Sequence, residues 1–215
     1  MIVEEIMKKN VITLSADDTI STAIKIMDEK KIRHIPVVDI NQNIIGLISD
    51  RDIRDAKPSI LDYTNNEKTL DSPLKDIMVK DVITGHPLDF VEEISAIFFQ
   101  YRISCLPIES NGKLVGIITE TDLLHTFAQL TGANQPGSQL EIKVHNRAGT
   151  LADVVNVIKN HNVNIHSVLV YPDKEDTQYK IIVLRVQTMN PNKIITNLID
   201  SGYTVLWPTI PGPQL

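Results

Sequence analysis

The amino-terminal half of this chain is written twice. Ile6, Met7, Lys9, Val11, Ile12, Thr13, Asp18, Ile26, Ile32 and Pro36 recur, at one constant spacing, as Ile77, Met78, Lys80, Val82, Ile83, Thr84, Asp89, Ile97, Ile103 and Pro107. One residue is then lost, and Gly46, Ile48 and Asp52 return as Gly116, Ile118 and Asp122. A duplication of this kind constrains the fold more than any other feature, because a unit too short to enclose its own core must bury its apolar face against the copy.

Each copy carries the same punctuation. A short apolar strand ends in Val11-Ile12-Thr13, Asp18 stands as a helix N-cap, and Ile20, Ala23, Ile24 and Met27 follow at helical spacing. In the second copy Asp89 with Glu92 three residues on reads as a capping box, ahead of the inner face Val91, Ile94 and Phe98. A hairpin comes next, from Ile35-Pro36-Val37-Val38 in one copy and Leu106-Pro107-Ile108 in the other. Its turn is the favoured Asn111-Gly112 in the second copy and the longer Asp39–Asn43 connection in the first. The returning strands run through Gly46 and Gly116 into Ser49-x-x-Asp52 and Thr119-x-x-Asp122. There a hydroxyl and a carboxylate meet the unpaired amides of a helix start, a geometry suited to a phosphate or a ribose.

The predicted organisation is repeat 1 over 1–56, a polar connector over 57–73, repeat 2 over 74–130 and a breaker-rich linker over 131–138. A different unit fills 139–208, before a tail at 209–215. Within it, alternation over Leu140–Val144, a helix marked by Leu151, Val154, Val155 and Ile158, strands over Val163–Tyr171 and Tyr179–Val186, a helix after Asn190-Pro191 that ends at Gly202, and a strand over Tyr203–Trp207 give the order βαββαβ. That order is ferredoxin-like, and the overall class is α+β.

Composition excludes several functions. A net charge of −6 speaks against a broad nucleic-acid surface. No apolar run approaches the ~20 residues a membrane helix requires. The acidic start Met1-Ile2-Val3-Glu4-Glu5 does not read as a signal peptide. The lone Cys105 forms no internal disulfide and suits a reducing compartment, so a cytoplasmic location is expected.

The paired repeats, with Ile-Met near the start, a Val-Ile-Thr strand, a hairpin proline and a closing Gly-h-h-[Ser/Thr]-x-x-Asp, resemble tandem CBS motifs forming a Bateman module over roughly 1–125. Asn146-Arg147-Ala148-Gly149-Thr150-Leu151, in the first strand-to-helix turn of the tail, resembles an ACT domain over 139–208. The combination, with segments such as His86–Ile94 and Leu130–Ser138, resembles the AcuB family of bacterial acetoin utilization proteins.

The resemblance implies an adenosine-containing ligand, AMP, ADP or ATP, acting as a regulator with no cofactor required. The first site is expected at Thr13, His34, Ile35, Pro36, Ser49, Arg51 and Asp52, and the second at Thr84, Cys105, Leu106, Pro107, Thr119, Thr121 and Asp122. Ser49 and Thr119 would donate to phosphate, Asp52 and Asp122 would accept from ribose, and the Ile35-Pro36 and Leu106-Pro107 segments would wall the adenine. The backbone at Thr13 and Thr84 would pair with its edge. Arg51 against Thr121 predicts that the first site takes the more charged ligand. In the tail, Asn146, Ala148, Gly149, Thr150 and Leu151 would hold an amino acid or other small carboxylate between two ACT domains.

Plainer readings stay open at the same residues. Ser49-x-x-Asp52 and Thr119-x-x-Asp122 also satisfy an ordinary capping box. His34 either touches a nucleotide or packs beside the hairpin. Cys105 reads as a small core residue, the remaining histidines share no metal-ligand spacing, and Gly149 serves a tight turn whether or not a ligand binds there. No catalytic constellation is evident. The expected function is a non-catalytic regulator of acetoin or acetate metabolism, at least a homodimer, acting on an unidentified protein target. The alternatives are a structural assembly factor with vestigial pockets, or an enzyme acting on adenylates or acyl groups.

Overall fold

Each repeat builds a helix, a hairpin and a second helix in the computed structural model, which describes residues 1–56 and 70–209. Most of the connector expected at 57–73 and of the tail at 209–215 lies outside the described residues. In repeat 1, α1 (Ile20–Lys30) leads into β1 (His34–Val38), β2 (Ile44–Ser49) and α2 (Asp50–Ala56). In repeat 2, α3 (Val91–Tyr101) leads into β3 (Cys105–Ser110), β4 (Lys113–Thr119) and α4 (Glu120–Leu130). Both hairpins are antiparallel, and Asn111 and Gly112, with φ of 54° and 77°, supply the left-handed pair that a two-residue turn demands.

The helix starts differ from expectation. Thr19, not Asp18, caps α1 by accepting from Thr22 N, while Asp18 accepts from Ser15 N at 2.7 Å and closes the preceding turn. Asp89 does the same for His86 N, so α3 begins behind Phe90 with no side-chain cap and the Asp89–Glu92 capping box does not form. A carboxylate three residues after an amide in a turn finds that donor before the helix is reached, and the cap passes to the next residue. The helix faces follow the periodicity: Ile20, Ala23 and Met27 are buried, as are Val91, Ile94 and Phe98.

The two repeats exchange their leading segments. Leu74, from the start of repeat 2, is fully buried in the core of repeat 1 with Ile20, Ile35, Val37 and Ile48. Val3, from the start of repeat 1, is fully buried in the core of repeat 2 with Ile94, Leu106, Ile108 and Ile118. Each such side chain contributes about 1.5–3 kcal/mol by leaving water. The exchange is locked by main-chain bridges from Val79 to Leu47 and from Lys8 to Ile117. It also explains Gly46, where a Cβ would lie 2.5 Å from Met78 Sδ of the exchanged segment and 3.2 Å from Val79 O.

These repeats make up the unit Met1–Leu124, and His125–Leu215 forms a second unit. There β5 (Ser138–His145), α5 (Thr150–Lys159), β6 (Ile165–Pro172), β7 (Tyr179–Val186), α6 (Asn192–Asp200) and β8 (Thr204–Trp207) follow in order. The sheet is antiparallel with strand order β6-β7-β5-β8, as the βαββαβ reading requires. Leu140, Ile142, Val144, Ile182 and Leu184 on its inner face pack with Val154 and Ile158 of α5 and Ile194, Ile195 and Leu198 of α6. Residues 131–137 form no strand or helix but are held in place: Ser167 Oγ donates to Thr131 O at 2.8 Å, and Arg185 Nη2 to Gln135 O at 2.7 Å. Among the described residues, no helix is long and apolar enough to cross a membrane.

Candidate functional site

The exchange of leading segments creates two pseudo-equivalent pockets, each lined by both repeats. The first, of about 380 Å³, joins Leu47, Ser49, Arg51, Asp52 and Arg54 of repeat 1 to Val79, Asp81, Val82 and Ile83 of repeat 2. Arg33, His34, Arg102, Ile103, Ser104 and Cys105 close it. The second, of about 240 Å³, joins Thr119, Thr121 and Ile117 of repeat 2 to Lys8, Asn10, Val11 and Ile12 of repeat 1, with Lys31, Ile32, Arg33 and His34. His34 and Arg33 therefore line both.

In the first pocket the strand-to-helix junction forms its capping box. Asp52 Oδ2 accepts from Ser49 N at 2.8 Å and from Ser49 Oγ at 2.6 Å, and Asp52 N donates to Ser49 Oγ at 3.3 Å. Both bonds to the carboxylate fall on Oδ2, and no described residue bonds Oδ1. Arg33, Arg51, Arg54 and Arg102 line the pocket together with Asp50 and Asp81, and of these arginines Arg54 is ion-paired, to Asp50 at 3.4 Å. Leu47, Val79, Val82, Ile83 and Ile103 give the pocket an apolar wall. Such a site offers an acceptor for a diol, a surface for a flat ring and cations for phosphate.

The second junction is built alike but filled differently. Asp122 Oδ2 accepts from Thr119 N at 2.9 Å and Thr119 Oγ1 at 2.6 Å, while Oδ1 is ion-paired to Lys8 Nζ at 2.8 Å. Burial would raise the Asp122 carboxyl, but the bonds from Lys8 and Thr119 outweigh it and hold the group below the usual carboxylate range. Burial, and then the Arg33 charge, lowers the His34 pKa against the pull of Asp50, Asp52 and Glu120. Burial first, then the Asp122 charge, pushes the Cys105 thiol up to about 12, so it is not an activated nucleophile.

The structure brings Ser49, Arg51, Asp52 and His34 into one pocket, with Cys105 from the other repeat, and Thr119 and Thr121 into the second. It separates others. Thr13 lines a third concavity beside Asp17, Asp18 and Asp39, and Thr84 follows the pocket-lining Ile83 without lining that pocket itself. Ile35 and Leu106 are fully buried, each in its own repeat's core, and Pro36 and Pro107 are buried within the hairpins. None of the four lines either pocket: Ile35 and Leu106 point into their repeats' cores, and Pro36 and Pro107 are covered within the hairpins. The apolar wall of the first pocket comes from Val79, Val82 and Ile83 of the exchanged segment together with Leu47 and Ile103. Sequence reasoning also missed Arg102 and Lys31, although a basic residue at equivalent places in both repeats, each ending its helix in the left-handed region at φ 53° and 55°, was a readable signal.

In the carboxy-terminal unit, Asn146, Ala148 and Gly149 are exposed in the β5–α5 turn and Leu151 is 41% exposed. Gly149, at φ 85°, adopts a backbone that a side chain would strain. Thr150 is buried, and its hydroxyl donates to His145 O and Arg147 O, so it stabilises the turn rather than facing outward.

The profile of the CBS domain matches residues 3–59 and 74–129, which are the two exchanged repeats. The chain belongs to the CBS-domain family. An ACT domain profile matches 138–200, so a CBS pair is followed by an ACT domain. The chain is similar to inosine-5′-monophosphate dehydrogenase from Methanocaldococcus jannaschii, at 35% identity over 122 residues, covering 56% of this chain and 22% of that protein. The chain thus spans about a quarter or less of the enzymes it matches first. Among solved structures, it resembles a protein named for acetoin utilization (AcuB) from Vibrio cholerae, with 29% identity, a TM-score of 0.54 and coverage of 63% of this chain and 98% of that one. A CBS domain pair in complex with 5′-methylthioadenosine and S-adenosyl-L-methionine matches at 27% identity with a TM-score of 0.52, covering 63% and 98%.

Proposed function

We propose that this chain is a regulatory protein that binds an adenine nucleotide in the first pocket of its CBS pair and performs no chemistry of its own. The observation that carries the reading is Asp52, whose carboxylate is engaged by Ser49 through one oxygen while lining a pocket with an apolar wall and four arginines. An uncommitted carboxylate oxygen accepts from ribose hydroxyls, the wall stacks on adenine, and Arg51, Arg33 and Arg102 favour a di- or triphosphate over AMP. The adenosine ligands held by a similar CBS pair support the ligand class.

The nucleotide shifts the CBS pair between arrangements in proportion to its difference in affinity for them, and an unidentified protein partner reads the change. The ACT domain pairs with a second copy through the exposed edge strand β6, or takes a small carboxylate at the Asn146–Gly149 turn. A role in acetoin or acetate metabolism rests on the likeness to the Vibrio cholerae protein, and a cytoplasmic location on the lone, buried Cys105. Calorimetry with AMP, ADP, ATP and S-adenosylmethionine tests the reading. ATP or ADP binding more tightly than AMP is expected. Absence of heat with all four, and a melting temperature that none of them moves, would instead favour a structural protein with vestigial pockets.

A further inference from the structure

The two pockets part at a residue that the internal repeat makes conspicuous. The position that is Lys8 in the lead segment of repeat 1 is Val79 in repeat 2, and the exchange pairs Lys8 with Asp122 while Val79 lines the pocket that Asp52 lines. Val79 leaves Asp52 facing the first pocket, whereas Lys8 Nζ sits 2.8 Å from Asp122 Oδ1. With Thr119 holding Oδ2, both oxygens of Asp122 are engaged, and Asp122 does not line the second pocket although its neighbours Thr119 and Thr121 do.

Resting on the nucleotide reading above, we infer that Lys8 is the specificity-determining residue of the second pocket, an internal cation that takes the place of a ribose and closes this pocket to nucleosides. A ribose entering there would have to displace the Lys8 ammonium, on a side chain 62% exposed, from a carboxylate that is 16% exposed, and its own neutral hydroxyls are weaker donors than an ammonium. The charges that remain, Lys31 and Arg33, face a pocket with no available carboxylate. The result is one nucleotide per chain, and the difference between the pockets is set by Lys8 against Val79 in addition to Arg51 against Thr121.

Equilibrium titration with AMP, read as equivalents bound per chain, tests this with Lys8→Val, Lys8→Arg and Lys8→Val/Asp122→Asn, each first checked for an unchanged fold by circular dichroism and melting. The wild type and Lys8→Arg are expected to bind one AMP, Lys8→Val two, and the double variant one again. Two equivalents in the wild type, or a single equivalent in a folded Lys8→Val, overturns the inference. A wild type that binds no AMP is titrated with ATP as well, and failure to bind either contradicts the nucleotide reading itself. In that case one AMP gained by Lys8→Val and lost again in the double variant still upholds the role of Lys8, and no gain overturns it.

Discussion

His34 Nε2 lies 3.1 Å from Ser104 Oγ, a bond that runs from one repeat to the other between the two pockets. Burial is the main reason its pKa lies below 6.5. A base whose folded pKa is depressed stabilises the fold fully above its unfolded value, and this contribution is lost as pH falls through the folded value. The His34 imidazole resonances should therefore titrate with a midpoint below 6.5, and the denaturation midpoint should fall on acidification from pH 7 more in the wild type than in His34→Gln. A midpoint at or above that value would mean the imidazole is not buried between the repeats.

The exchange of leading segments predicts an energetic coupling between distant residues. Gly46→Ala forces a Cβ onto Met78, so overpacking should cost about 1–3 kcal/mol. Combining it with Met78→Ala should cost less than the sum of the single changes by about 0.5–3 kcal/mol, as expected of residues in direct contact. Additive effects in urea denaturation would contradict the exchange.

Cys105, with its pKa pushed up to about 12, should resist alkylation in the folded chain. At pH 8 only on the order of one thiol in ten thousand is ionised, so iodoacetamide should label it slowly until denaturant is added and promptly afterwards. Rapid labelling of the native chain would contradict its burial.

The repeat, the hairpins, the helix faces and the βαββαβ order were all legible, because apolar periodicity and turn residues act locally. The Asn111-Gly112 turn and the Ser49–Asp52 and Thr119–Asp122 boxes formed as their spacing implied. What could not be read was which repeat completes which pocket. Thr13 and Ser49 belong to one repeat, yet Ser49 faces Val82 and Ile83 of the other, an outcome decided by long-range packing of Val3 and Leu74. The Lys8–Asp122 ion pair spans the same exchange, so no local pattern announced it.

Strand β6 is an edge strand, and Val168, Leu169, Val170 and Tyr171 on it are each 40–45% exposed. An apolar edge of this kind invites pairing with another chain. Sedimentation equilibrium should show a dimer for the wild type, weakened at least tenfold in Val168→Lys/Val170→Lys, whose charges meet solvent in the monomer and so leave its melting temperature nearly unchanged. An equally tight dimer in that variant would place the interface elsewhere.

The most direct measurement is a crystal structure of the full chain grown with ATP. Its ribose hydroxyls should lie within hydrogen-bond distance of Asp52 Oδ1, with adenine against Val82 and Ile83 and phosphates toward Arg51. A first pocket without nucleotide at saturating ATP, or a ribose held by Asp122 in its place, would contradict the account.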